Sequence, residues 1–212
     1  MFRAISVGNR VTTILSLHFR DGSLYEEKSV FSQSNTFRLL TYRQIQKGAA
    51  FKSPETLALD TRTGDVNIEA ADKDGKMRNI AKRLSLPADL ANGIITILLN
   101  DVDSNVETTL SMLVATPEPR VVKLRISASG QDSFSIGGWG DKAAHYVVKV
   151  DVGGVTGVVA KAAGKQPPPP HIWINAGSTP VFQKSEGPLY EDGPIWRIEL
   201  ASPTWPKSAE PR

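Results

Sequence analysis

Three histidines, His18, His145 and His171, are the side chains of this sequence best suited to moving a proton or holding a metal near neutral pH. They lie far apart in the chain, and none has a His-x-His or His-Glu-x-x-His partner, the spacings that bring two imidazoles to one side of a strand or helix. A metal shared among them is not expected. There is no cysteine, so disulfides, thiol catalysis and thiolate metal sites are excluded. His18 shares a strand face with Ser16 and Arg20, and His145 with Lys149 and Asp151, so both read as polar-face residues. No Gly-x-Ser-x-Gly marks a serine nucleophile, although a triad is defined by geometry and can assemble across strands.

The carboxylates are no more specific. "DVDSNVE" puts Asp101, Asp103 and Asn105 at the first three positions of a calcium loop, but Val106 stands where glycine is needed and Met112 where a bidentate glutamate is needed. The stretch reads as a helix end and turn. Glu26–Glu27 and Glu191–Asp192 are adjacent pairs, and neighbours in a strand point to opposite faces, so neither makes the facing carboxylates of a glycosidase. Lys73, Lys76, Arg78, Lys82 and Arg83 form the one basic cluster. It reads as a solvated hairpin, or as a contact for phosphate or anionic lipid head groups. No aromatic residues interleave it, which argues against nucleic acid. In "SIGGWGDKAAHYVVKV" three glycines surround Trp139, a turn that either carries a large amphipathic ring to a cavity mouth or folds it back over the core edge. No cofactor is implied by any of these residues.

These groups must be positioned by strands. Val11, Thr13, Leu15, Leu17 and Phe19 alternate with Thr12, Ser16, His18 and Arg20, with Ile14 the exception, and Asp21-Gly22 follows as a turn. Further strands are predicted over 24–32 and 36–46, and then three more joined at Thr63-Gly64 and Asp74-Gly75. The strands resume over 107–116, 120–129, 131–137, 144–151, 154–161, 171–176 and 194–201, with Gly130, Gly153-Gly154 and Asp192-Gly193 as turns. One segment differs. After Pro87, apolar residues from Leu90 to Val102 cover nearly every side of a helix, so a buried helix over 88–100 is predicted. The rival is a buried strand from Ile94 to Leu99. Gly93 costs a helix about 1 kcal/mol against alanine and allows close approach to a sheet.

Four prolines, Pro167 to Pro170, run straight into "HIWIN". Without amide hydrogens they cannot sit in a central ladder, and as polyproline II they span about 12 Å. They read as a stiff connector at the sheet edge, outside any active site, or as a docking peptide for a proline-reading partner with Lys165 as its flanking base.

The totals suit one β-rich domain over 1–202 with a loose tail over 203–212. Of 212 residues, 40% are hydrophobic and 22% charged, enough for a core, and a net charge of +3 makes no strong field for nucleic acid. No stretch approaches the roughly 18 apolar residues of a membrane span. "MFRAISVGNR" lacks the apolar stretch of a signal peptide, so the expectation is a cytoplasmic chain, or a periplasmic or secreted one with its leader upstream. Oligomeric state is not legible.

"LPADLANGIITILLND", "GGWGDKAAHYVVKV" and "EGPLYEDGPIWRIEL", together with the order of elements, resemble uncharacterised bacterial envelope proteins of the half-barrel, lipoprotein-carrier-like fold. The resemblance implies a mainly β (α+β) protein in which one strongly curved antiparallel sheet wraps a short apolar helix near 88–100. Some members of that fold bind acyl chains between sheet and helix, and one is an enzyme of pigment synthesis, so fold leaves function open. The function expected is non-enzymatic binding of a lipid or other hydrophobic ligand, lined by Trp139, Tyr146, Trp173 and Trp196, with Tyr146 and Trp196 on the apolar faces of their strands. The alternatives are an envelope interaction protein without a small ligand, and an enzyme using polar residues such as His145 and Arg125.

Overall fold

The computed structural model describes residues 1–34, 36–72, 74–100, 106–115, 118–136, 139–151, 168–175, 181–190 and 193–201, with 136 and 139–141 described by backbone alone. Every strand in it is antiparallel to its neighbours. The first sheet comprises β1 (Phe2–Val7), β2 (Arg10–His18), β3 (Leu24–Gln33), β4 (Phe37–Lys47), β5 (Glu55–Asp60), β6 (Asp65–Ala71) and β7 (Met77–Arg83), in that spatial order. A connection containing one helical turn, α1 (Ile95–Leu98), leads to the second sheet. There β8 (Thr108–Val114), β9 (Arg120–Ile136), β10 (Trp139–Asp151), β11 (His171–Asn175), β12 (Val181–Pro188) and β13 (Ile195–Glu199) again lie side by side in chain order. Both sheets are meanders, with each strand beside its chain neighbour even across the 19 residues between Asp151 and His171.

The strands therefore bond into two sheets, where the sequence predicts one continuous sheet. Two strands, β1 and β12, were not legible at all. Gly130 does not end a strand: it lies inside β9 with φ of +102°. Trp139 does not lie in a turn either, since its backbone pairs with Ile136 at the head of the β9–β10 hairpin. Residues 101–105, read as a helix end and turn, the strand 154–161, Lys73, Pro167 and the tail 203–212 lie outside the described residues.

The apolar segment is buried only in part, at Leu90, Ala91, Ile94 and Leu99, with Ile95, Ile97 and Leu98 half-buried, and it is not a helix over 88–100. Turns occupy most of 88–94, and only Ile95–Leu98 is helical. Gly93 takes φ of +68°, which breaks the helix on its N-terminal side. Leu90, Ala91 and Ile94 pack on the inner face of the first sheet, on Phe31, Leu39, Tyr42, Leu57, Leu59, Val66 and Ile68, and beside Leu113 of β8. Leu99 packs on the inner face of the second, on Leu124, Ile126, Tyr146, Val148, Ile172 and Ile174. Elsewhere the two halves meet through rings. Phe19 lies 4.8 Å from Trp196, and Phe51 lies 5.7 Å from Tyr190 and 5.6 Å from Phe19.

The connection also completes β8. Ala91 N–H donates to Ser111 O at 2.8 Å, and Ser111 N–H to Asp89 O at 3.1 Å. The Asn92 side chain then acts as a further peptide group, donating to Leu113 O at 2.9 Å and accepting from Leu113 N–H at 2.8 Å. These bonds satisfy backbone groups that burial would otherwise leave unpaired.

The proline run enters the sheet at a different place from the one predicted. Pro170 leads into β11, an interior strand, and its carbonyl accepts from Val148 N–H at 2.9 Å. Pro168 to Pro170 thus brace the end of a central strand, with Pro170 seated against Gly187 of β12.

Gly93 supplies a test of this packing. A Cβ there would stand 2.3 Å from Ser29 Oγ and 2.7 Å from Tyr42 Cε2. Gly93→Ala therefore combines backbone strain with overpacking and is expected to lower unfolding free energy by about 2–5 kcal/mol, read from urea denaturation. Gly75, with open space around it and the same sign of φ, is the control, and Gly75→Ala should cost only about 1 kcal/mol.

Candidate functional site

In the middle of the second sheet, alternation turns Tyr146, Val148, Ile172 and Ile174 into the core. The intervening residues His145, His171 and Trp173 then face outward. Pairing aligns them across strands: His145 lies opposite Trp173, Trp173 opposite Lys184, and His171 opposite Glu186. Arg197 and Glu199 of β13 extend the row, opposite Glu186 and Lys184.

Two irregularities flank this row. Ala144 pairs with Gln131 and Tyr146 with Ala128, so Ser129 and Gly130 together oppose His145. The positive φ of Gly130 makes this a glycine bulge. Between β11 and β12, Trp173 pairs with Lys184 and Ile174 with Phe182, which leaves Gln183 as an inserted residue. Its side chain is buried, and Oε1 has no hydrogen-bond partner.

The outward groups are closely stacked. The His145 ring lies 4.4 Å from the Trp173 indole at an interplanar angle of 6°. The Lys184 ammonium lies 3.7 Å from the indole centroid. Because β10 and β12 flank β11, imidazole and ammonium approach the indole from opposite sides. Trp173 Nε1–H donates to Asp132 Oδ2 at 2.7 Å. These neighbours leave Trp173 only 7% exposed although it points away from the core. Lys184 also pairs with Glu186 at 3.2 Å, Glu186 lies 3.8 Å from Arg197, and Arg197 Nε–H donates to Glu199 at 2.8 Å.

The two histidine rings meet at hydrogen-bond distance. His145 Nε2 and His171 Nδ1 are 2.7 Å apart, and His145 Nδ1 lies 3.7 Å from Asp132 Oδ2. Burial, and next the charge of His171, hold the His145 pKa below its usual value; Asp132 opposes them. His145 is therefore neutral at pH 7. Asp132 Oδ2, which accepts from Trp173 Nε1–H, stands beyond hydrogen-bond distance of His145 Nδ1 and acts on the ring through its charge. The His145 Nε2–His171 Nδ1 contact is a hydrogen bond in which one ring donates and the other accepts.

Of the residues predicted to line a ligand site, the three whose side chains are described, Tyr146, Trp173 and Trp196, do not come together. Tyr146 is packed into the core. Trp173 faces the opposite way, in the row just described. Trp196 sits against Phe19 and lines a shallow cleft of about 400 Å³ with His18, Leu189 and Ile198. The side chain of Trp139 lies outside the described residues. Arg125 does not meet His145; it lies 3.9 Å from Asp151 further along the outer face. The basic hairpin is largely neutralised, with Arg78 on Asp72, Lys82 on Glu118 and Arg83 on Asp65. Among the described residues no three His, Cys, Asp or Glu side chains are grouped to hold a metal.

A second polar cluster lies on the inner face of the first sheet. Tyr42 Oη donates to Glu27 Oε1 at 2.6 Å, and Tyr25 also bonds to Glu27. Burial raises the Glu27 pKa above its ordinary value, and raises that of Glu55 nearby.

Sequence reasoning singled out His145, His171 and Trp173, but not Asp132, Lys184 or Glu186. The alternation in "HIWIN" separates Trp173 from Ile172 and Ile174, and that signal would have moved Trp173 out of the proposed apolar lining. No protein-family model, curated protein or solved structure matches this chain.

The two clusters have opposite acid responses. Below the unfolded histidine pKa of about 6.5, the unfolded chain takes up a proton that folded His145 resists, so stability falls as pH drops. Glu27 works the other way, because its folded pKa is raised and the folded state gains the proton first. Between pH 7 and 5, His145→Gln should therefore lose less stability than the parent chain, and Glu27→Gln should lose more. Thermal melts across that range read both slopes.

Proposed function

We propose that this chain is a binding protein that meets a polar, near-neutral, hydroxyl-rich ligand on the outer face of its second sheet, at the row from His171 and His145 through Trp173 to Lys184 and Glu186. One observation carries this reading: an indole aimed outward from a sheet yet held almost dry by an imidazole, an ammonium and a carboxylate. Such a row is pre-organised, so little side-chain freedom is lost on binding. Its charges nearly cancel, with Asp132, Glu186 and Glu199 against Lys184 and Arg197 beside a neutral His145. That balance favours groups that both donate and accept hydrogen bonds over strongly anionic ones.

The hydrophobic-ligand reading makes the two meanders act as one curved wall, a half-barrel around residues 88–100. Its support is the apolar interior between the sheets. The described clefts, about 400 and 340 Å³, are shallow and lie at the surface, and Tyr146 is part of the packed core. A third reading, acid–base catalysis, is favoured by the grouping of two imidazoles at hydrogen-bond distance, His145 and His171, with the Asp132 carboxylate close to the first.

Tryptophan fluorescence during titration with neutral oligosaccharides tests the proposal. A saturable change is expected, weakened at least about tenfold in both Trp173→Ala and His171→Ala. A lipid retained in native mass spectra, with no response to any oligosaccharide, would replace this reading with the hydrophobic one. Hydrolysis of an activated ester that His171→Ala abolishes would favour the catalytic one.

A further inference from the structure

Four strands end the two sheets, namely β1 and β7 in the first and β8 and β13 in the second. A sheet edge presents unpaired N–H and C=O groups and invites another strand, so natural edges are charged, shortened or covered. Three of these four are. β7 carries Arg78, Lys82 and Arg83 in its seven residues. β8 is covered by residues 89–92. β13 has five residues and carries Arg197 and Glu199.

Among the described residues β1 has none of these protections. All six of its residues are exposed, Arg3 is its one charge, and it contains no proline. Met1, Phe2, Ile5 and Val7 are 68%, 55%, 47% and 76% exposed, and they are four of the seven large hydrophobic residues exposed in the described chain. Apolar exposure is thus concentrated on the one bare edge.

The ladder fixes what that edge offers. Met1 and Ser16 exchange both backbone bonds, at 2.6 and 2.8 Å. Bonded pairs alternate along an antiparallel ladder, so Arg3, Ile5 and Val7 also bond to β2, and Phe2, Ala4 and Ser6 turn their N–H and C=O groups outward. We propose that two copies of this chain pair antiparallel through β1, on a twofold axis at Ala4, to make the first sheet continuous across a dimer.

This register follows from the sequence of the strand. An isologous pair must set outward residues against outward residues. Centring on Ala4 pairs Ala4 with itself and Phe2 with Ser6 of the second copy, which gives about six backbone bonds. It also sets Arg3 opposite Ile5 of the second copy and gathers Met1, Ile5 and Val7 of both copies on one face. Sliding one bonded step one way brings Arg3 against Arg3, and like charges directly opposed are unfavourable. Sliding the other way sets Phe2 opposite Gly8, which has left the strand with φ of +59°. The pairing leaves the ligand row untouched, so it stands or falls separately from the binding proposal.

Sedimentation equilibrium of the full chain tests it. The parent protein is expected to reach twice the chain mass as concentration rises through the micromolar range. Ala4→Pro removes an outward donor and spares the β2 ladder, and Ile5→Lys places like charge along the joint. Each should weaken the dimer at least about tenfold and keep the circular dichroism of the parent. Should Ala4→Pro fail to fold, Ile5→Lys decides alone. A parent chain that stays monomeric throughout, including one whose β1 is taken by an unrelated extended peptide, overturns the proposal. So does an Ile5→Lys variant that dimerises as the parent does, or a parent assembly of any other size.

Discussion

Two open meanders each have an inner face that must leave water, and the segment from Leu90 to Leu99 allows both to do so together. It fills the space between them, with Ile94 against the first sheet and Leu99 against the second. Its approach is close because Gly93 presses on Ser29 and Tyr42 with no side chain of its own. Its polar backbone is tolerated there because Asn92 and β8 satisfy one another. Without this wedge neither sheet would have a partner surface along much of its length, and an unpartnered antiparallel sheet of this size has little reason to stay folded.

That burial also decides what the outer surface can display. The period of a strand is two, so anchoring Tyr146, Val148, Ile172 and Ile174 inward obliges His145, His171 and Trp173 to face out. A slip of one residue would bury the histidines and expose the core. The two bulges adjust this strict alternation locally. Gly130 lets β9 carry an extra residue opposite His145, and Gln183 does the same on β12 next to Lys184. Bulges re-aim side chains, and here both lie beside the stacked row.

Much of the fold was legible because it is local. The strand through Val11 to Leu17, the turn pairs at Gly22, Gly64 and Gly75, and the strand "HIWIN" all appear where the sequence places them, although Ser16, read as a polar-face residue, is buried. The apolar segment was legible as core-facing at Leu90, Ile94 and Leu99, but neither its shape nor the half-burial of Ile95 to Leu98 was, because an apolar run does not record how a turn-rich segment presents its sides. β1 is exposed on both faces and so has no alternation to detect. Gly130 reads as a turn because glycine permits both a turn and a bulge. The candidate row was legible only in its members. That His145 touches His171 and Trp173, and that Asp132 closes the group, depends on register between strands many residues apart, and no spacing along the chain records it.

The order of the strands bears on how the molecule is made. In both sheets every strand pairs with the strand before or after it in the chain. Each strand can therefore pair as soon as it follows its neighbour, at small entropic cost, with the 19-residue link between Asp151 and His171 the longest of these closures. The first sheet has all of its partners by Arg83, long before β8 has been synthesised. A ribosome-bound chain would thus hold a paired but one-sided sheet, its inner face still wet, until the wedge and then the second meander arrive. The interval between Arg83 and Thr108 is when this protein most needs shielding from its neighbours.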